Sequence, residues 1–358
     1  MKLNNKNQRI SSLDWLRGIV AMSIMSYHLT NWHITKLDSS SLLGRLGIYG
    51  VSIFFILSGL SIALAYEKRM SDVKSAVYFF IRRIFRIWPL FFMTLIFYIL
   101  FFARSENYGW KMILLNATLL FSFVRPHQYI ITGGWAIGNE IVYYSLTPFI
   151  LTAYNKNRRK GNLFFTVCIM VGLLFSFFLM DSNKSLATQW STYVNPFNNL
   201  FLYVAGVAIY YNLKKTKLST NLTFIGLGLC ILLLAFLPYT NDAIGIVTGF
   251  ARMIFSSLSI FIVVFFYKLI VHLPKVVETV LVTLGDTAYG IYLLHPVVDY
   301  SYTRFLAGKN PVGIGDILII EATTIAISIA SYVFLEKRLM QLGKTIILKI
   351  DILINDHK

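Results

Sequence analysis

Ten apolar runs divide this chain, near 13–32, 48–66, 85–103, 134–153, 163–180, 196–211, 221–238, 250–270, 280–298 and 314–335. As a helix, a run of about 20 residues rises roughly 30 Å, the thickness of a bilayer's hydrocarbon core. Inside lipid every backbone N–H and C=O must be satisfied within the segment, so runs of this kind fold as spanning helices. A closed β-barrel is excluded because the runs are unbroken instead of alternating in segments of about ten. The expected fold class is all-α: a polytopic membrane protein with ten transmembrane helices. Composition agrees, with 56% hydrophobic and only 14% charged residues over 358 positions, against roughly 25% charged in soluble domains.

The net charge of +17 is placed as a topology signal, not as a nucleic-acid surface. With the N-terminus in the cytoplasm, 23 of the 33 Lys and Arg fall in inner segments and 8 in outer ones, among them Arg45 and Arg304, while Arg17 and Arg252 lie within spans. Cytoplasmic loops carry such an excess, so both termini are expected inside and no nucleic acid is expected as a partner. The stretch from Trp110 to Val124 is too short to cross and reads as an outer interfacial or re-entrant helix near 110–124. If it crossed, the basic cluster from Lys156 to Lys160 would face outward. The basic start resembles a signal peptide but lacks a small-x-small cleavage pattern, so an uncleaved first span is expected. No internal repeat or soluble appendage is visible, and 1–358 reads as one membrane domain ending in a basic, amphipathic cytoplasmic tail after Glu336. Cys168 and Cys230 sit in separate apolar runs, which predicts neither a disulfide nor a metal site.

The first span carries Asp14, Arg17 and His28. At about 100° per residue these fall within one narrow helical arc, on a stripe with Ala21 and Met25. A charged group at mid-bilayer costs about 2.5–3.5 kcal/mol, so a span that keeps Arg and His on one face uses them. Eleven residues separate Arg17 from His28, a rise of roughly 16 Å, which places Arg17 toward the cytoplasm and His28 in the outer half. Glu140, two turns below the outer end of span four, and His295, in the outer third of span nine, share the level of His28, as helices around one polar cavity would place them.

The run Leu13-Asp14-Trp15-Leu16-Arg17-Gly18, followed ten intervening residues after Arg17 by His28, resembles the opening of the acyltransferase family 3 membrane proteins. Further similar motifs come in order: Phe54-Phe55-Ile56-Leu57-Ser58-Gly59, Arg82-Arg83-Ile84-Phe85-Arg86-Ile87-Trp88-Pro89, Trp135 to Glu140, and Gly285 to Pro296. The resemblance covers almost the whole chain. It implies a bacterial cytoplasmic-membrane enzyme that moves a small acyl group, acetyl above all, from cytoplasmic acyl-CoA to a hydroxyl or amine, often of a surface carbohydrate. It also implies functional positions at Arg17, His28, Arg83 and Arg86, and no permanently bound cofactor. The chain departs from the family's Glu-x-Pro ending, since Lys337 and Arg338 follow Glu336. Many relatives add an esterase-like domain; without one, transfer is completed alone or with a separate partner.

His28 is the expected catalytic residue, either as general base toward the acceptor or as a transient acyl carrier. Arg83 and Arg86, at i and i+3, suit the phosphates of coenzyme A, or anchor the span at the headgroups. Asp14 pairs with Arg17 or stands as an N-terminal helix charge. Glu140, on one face with Tyr143, Tyr144 and Thr147, is the second expected catalytic residue, orienting a catalytic imidazole or binding the acceptor, or else forms an interhelical hydrogen bond. His295, near Tyr292 and Asp299, binds substrate or marks a His-Pro kink. Arg252 meets the acceptor or snorkels to the outer interface. Asp286, opposite His295 on its helix, belongs to donor-side structure. The other classes are a transporter or lipid-linked sugar flippase, which an inverted repeat would favour, and a non-catalytic scaffold, which would not need His28 beside arginines. Membrane lipids, acyl-CoA and a carbohydrate are the expected partners.

Overall fold

The computed structural model describes residues 9–70, 72–102, 108–239, 242–308 and 310–356; Lys2, Lys6, Arg104, Lys309 and Lys358 of the charge pattern lie outside them. Among the described residues there is no strand. The helices are α1 (Ser11–His33), α2 (Leu42–Tyr66), α3 (Val73–Phe101), α4 (Trp110–Ala117), α5 (Gly134–Lys156), α6 (Arg158–Leu174), α7 (Pro196–Leu213), α8 (Thr220–Phe236), α9 (Gly249–Lys268), α10 (Lys275–Tyr302), α11 (Ile314–Ser331) and α12 (Lys337–Asp356). Five-residue π turns extend α6 and α10, and a third, Tyr332–Glu336, joins α11 to α12.

Six stretches are long and apolar enough to cross a membrane by length and composition: Leu42–Tyr66, Val73–Phe101, Arg158–Leu179, Gly249–Lys268, Lys275–Ala307 and Ile314–Leu353. The other four expected spans are helices as well, α8 being a shorter apolar one. In α1, α5 and α7 the apolar content is diluted by buried polar residues, among them Asp14, Asn139, Asn198 and Asn199. The chain is thus a multi-pass helical membrane protein. The 110–124 stretch breaks into α4 and a single turn, Phe121–Val124, with Leu119 between them at φ 60°. Eight residues rise only about 12 Å, so α4 does not cross.

Two glycine contacts decide which helices meet. A Cβ on Gly285 would lie 2.2 Å from the carbonyl oxygen of Asp14, and one on Gly18 would lie 2.7 Å from Leu284 Cβ. The backbones of α1 and α10 touch there, as small residues permit in membrane packing. Gly59 and Gly206 do the same for α2 and α7, where a Cβ would meet a backbone oxygen at 2.0 Å. The tail after Glu336 continues as helix and docks on α3. Tyr78 donates to Asp351 at 2.6 Å, Lys74 pairs with the same carboxylate at 2.5 Å, and Gly343 faces Phe85.

Arg45 corrects an expectation. It is no loop charge: it lies in the first turn of α2, 1% exposed. Its fork donates to the carbonyls of Ser39 (2.6 Å), Leu234 (2.8 Å), Leu237 (2.6 Å) and Tyr239 (3.0 Å). These include carbonyls at the end of α8 that have no helical partner, and five fixed donors suit them. Arg45→Leu strands several buried acceptors and is expected to destabilise the protein by on the order of 3 kcal/mol. Thermal unfolding of the detergent-solubilised variant measures this, and a midpoint equal to wild type would show that water replaces the guanidinium.

Candidate functional site

The site is assembled from the N-terminal end of α1 onward. Asp14 is buried in the first turn, where its Oδ1 accepts from Arg17 Nη1 at 2.5 Å and its Oδ2 from Arg9 Nε at 2.6 Å. Arg9 continues to Asp286 Oδ1 at 2.6 Å, so Asp286 joins the same network from α10. Asp14 is therefore an ion-pair partner. The second amino group of Arg17 donates to Ser61 on α2, which aims the guanidinium into the bundle.

Arg17 lines a cavity of about 320 Å³ together with Arg83, Arg86, Glu140, Tyr144, Ser58, Ser61, Tyr289 and Tyr292, closed by apolar residues such as Phe54, Phe55 and Ile87. The i, i+3 spacing on α3 brings both Arg83 and Arg86 to it. Arg83 lies over the rings of Tyr66 (5.6 Å), Phe79 (5.7 Å) and Tyr144 (6.0 Å), and its buried Nε has no hydrogen-bond partner among the described residues. Arg86 makes no hydrogen bond among the described residues. Glu140 sits beside Ser58 and Tyr144, and is the carboxylate in a lining that holds three guanidiniums.

A second cleft, of about 300 Å³, shares Arg83 and Arg86 with the cavity and adds Tyr66, Arg69, Arg82, Met340 and Lys344. Arg69, Arg82 and Lys344 were not singled out from the sequence. The expected charge bias of the loops already accounts for them, and Lys344 arrives only because α12 folds against α3.

Tyr292 also lines the wall of the cavity and meets His295 edge-on, with ring centroids 6.2 Å apart. His295 Nε2 lies 2.8 Å from His28 Nδ1, and His295 Nδ1 lies 3.0 Å from the Ile291 carbonyl. A carbonyl oxygen only accepts, so Nδ1 of His295 carries its proton and its Nε2 holds a lone pair. His28 must then donate through Nδ1–H, which leaves the lone pair of His28 on Nε2. The adjacent Pro296 has no N–H, so the Tyr292 carbonyl lacks its usual helix donor, and the His295 ring sits against that oxygen too. His28 is not part of the cavity lining; the Tyr292 ring and His295 stand between them. The His28 ring also stacks on Trp32 at 5.1 Å and 4°, and Trp32 lies 6.1 Å from the His295 ring, so the three rings form one cluster.

Three expected positions fall differently. Tyr143 does not line the cavity: it donates to the Pro196 carbonyl at 2.8 Å and packs edge-on against Phe55. From Glu140 a step of three residues turns about −60° and a step of four about +40°, so Tyr144 reaches the cavity and Tyr143 turns to α7. Arg252 neither snorkels nor lines the cavity. It is 5% exposed and donates to the Asn198 carbonyl at 2.6 Å, holding α9 to α7. Tyr292 lines the cavity, but its hydroxyl is committed to the Gly133 carbonyl at 3.0 Å, which fastens the start of α5. Among the described residues no cluster of His, Cys, Asp and Glu could hold a metal ion.

The sequence model of acyltransferase family 3, described as an acyltransferase domain, matches residues 10–335. A protein of Acidianus two-tailed virus, provisionally named an acetyltransferase, is 27% identical over 302 residues, covering 82% of this chain and 84% of its own. Proteins of Staphylococcus aureus strains COL and MSSA476, provisionally named O-acetyltransferases, are 25% and 24% identical over 377 residues, each covering 92% of this chain. This chain spans only 57% of the length of those two. No solved structure matches. The matched segment contains every residue that lines the arginine cavity and both imidazoles, and the chain belongs to acyltransferase family 3.

Proposed function

We propose that the protein is a ten-span O-acyltransferase of a bacterial cytoplasmic membrane, with both termini inside. It moves a small acyl group, acetyl, from cytoplasmic acyl-CoA to a hydroxyl of a cell-surface or lipid-linked carbohydrate. The observation that carries this reading is the His28–His295 hydrogen bond, set one aromatic ring beyond an arginine-lined cavity. The phosphates of coenzyme A lie in the inner cleft, where Arg82, Arg83, Arg86 and Lys344 offer donors suited to charge-assisted bonds. The pantetheine arm runs along the cavity past Glu140 and brings the thioester to the Tyr292 ring, which stands edge-on to His295.

His28 Nε2 then takes the acceptor's hydroxyl proton, the oxygen attacks the thioester carbonyl carbon, and the carbon–sulfur bond breaks. The imidazolium returns the proton to the departing sulfur, so the products are an ester and free coenzyme A thiol. Direct attack by the same nitrogen would give an acyl-imidazole instead. Rapid denaturation near neutral pH during turnover with labelled acetyl-CoA, with immediate separation of the protein, distinguishes the two, because only the second leaves label on the protein.

Transfer of labelled acetyl by purified protein tests the donor site. Arg83→Ala and Arg86→Ala each remove charge-assisted hydrogen bonds of about 1.5–3 kcal/mol, so the KM for acetyl-CoA is expected to rise about 10- to 100-fold, with the unfolding midpoint lowered more in Arg83→Ala, whose guanidinium packs on three rings. Unchanged coenzyme A affinity in both variants would contradict the assignment.

A further inference from the structure

A third opening is not used by the donor-side chemistry. At the outer ends of α1, α3 and α10, an open cleft of about 630 Å³ is lined by Trp32, His33, Tyr98, Phe102, Asp299, Tyr300, Thr303 and Arg304, with Gly308 at its edge. That volume is within the roughly 300–1,000 Å³ of small-molecule sites. Its walls are flat rings. Trp32 is 37% exposed and stacks on Tyr300, centroids 6.4 Å apart and 17° between planes, while Tyr98 and Phe102 each flank Tyr300 at 5.9 Å.

Polar groups with spare capacity line the same space. Asp299 is buried, and its Oδ1 accepts from His33 Nε2 at 2.7 Å; Oδ2 has no hydrogen-bond partner among the described residues. The Thr303 hydroxyl is buried with none. Flat aromatic faces suit the C–H faces of a sugar ring, and a carboxylate and a hydroxyl suit its O–H groups. A hydrocarbon chain would leave both polar groups unsatisfied. The cleft also shares a wall with the imidazole pair, because Trp32 is stacked directly on His28.

We propose that this outer cleft is the acceptor subsite, holding a pyranose ring against Trp32 and Tyr300 with one hydroxyl directed to His28. The assignment rests on the acyl-transfer reading above and adds the face from which the acceptor arrives. Among the described residues Tyr300 and Asp299 share no hydrogen bond or ring pair with His28, so substituting them separates acceptor binding from damage to the base.

The experiment measures alkali-released acetate on the extracted surface polysaccharide of cells producing the full chain or its variants at matched levels, with acetyl-CoA affinity of each purified protein by calorimetry. Tyr300→Leu and Asp299→Asn are each expected to lower polysaccharide acetate at least tenfold with acetyl-CoA affinity within twofold of wild type. Tyr300→Trp, which keeps a flat face, is expected to stay within threefold. Wild-type acetate levels in both Tyr300→Leu and Asp299→Asn, with His28→Ala negative, would overturn the cleft assignment and leave acyl transfer standing. Equal loss in Tyr300→Trp and Tyr300→Leu would overturn stacking as its basis. Acetate found in wild-type cells only in the glycerophospholipid fraction would overturn the sugar occupant, and its absence from every fraction would overturn the acyl-transfer reading as well.

Discussion

His28→Ala is expected to lower acetyl transfer by about 10²- to 10⁴-fold, the range for loss of a positioned general base, while acetyl-CoA affinity stays within twofold. The split follows from placement. The arginines proposed to hold the donor line the cavity and the neighbouring cleft, and His28 lies beyond Tyr292, so its removal touches none of them. The imidazole is half-buried, its ring packed against both Trp32 and His295, and truncation leaves a void that those rings border. The unfolding midpoint of the variant is therefore read beside its rate. A fall in rate matched by a fall in coenzyme A affinity would instead place His28 in donor binding.

The second large effect is expected at His295, which acts through His28. His295→Phe keeps a ring in the packing but removes the acceptor for His28 Nδ1–H, and so releases the tautomer that puts the lone pair on Nε2. A drop in kcat of about 10²-fold is expected with the KM for acetyl-CoA nearly unchanged, the usual pattern when a base loses the group that orients it. His295→Gln restores an acceptor oxygen on a side chain of similar reach and is expected to recover at least tenfold of that loss. No difference between the Phe and Gln variants would reduce His295 to packing.

Which parts of this arrangement are legible in the sequence follows from the range of the interactions. The polar stripe of α1 is a local pattern, and its 3.6-residue period places Asp14, Arg17 and His28 on one face without help from the rest of the chain. Glu140 and the Arg83–Arg86 pair are readable for the same reason. The His28–His295 contact joins residues 267 positions apart and depends on α1 and α10 touching at Gly18 and Gly285. No periodicity reports that crossing. Two arginines mislead for a common physical reason. A guanidinium near the outer end of an apolar run reads as a loop charge or a snorkelling side chain, yet Arg45 and Arg252 turn inward onto backbone carbonyls. Those carbonyls belong to helices distant in sequence, so their demand for donors is invisible until the bundle is assembled. Arg69, Arg82 and Lys344 are hidden differently, because the positive-inside pattern already accounts for their charge. The outer cleft is obscured by abundance: among 29 Phe and 21 Tyr, nothing local distinguishes Tyr98, Phe102 and Tyr300 from lipid-facing bulk.

The central claim is that acyl groups cross from an inner arginine site to an outer acceptor site through His28. Vectorial transfer in vesicles measures it most directly. Protein is reconstituted in one orientation, labelled acetyl-CoA is supplied only on the Arg83 face, and the surface polysaccharide is supplied only on the Trp32 face. The account predicts ester-linked label on the polysaccharide with wild-type protein and none above background with His28→Ala. Label that appears only when donor and polysaccharide share one compartment, or that survives undiminished in His28→Ala, would contradict it.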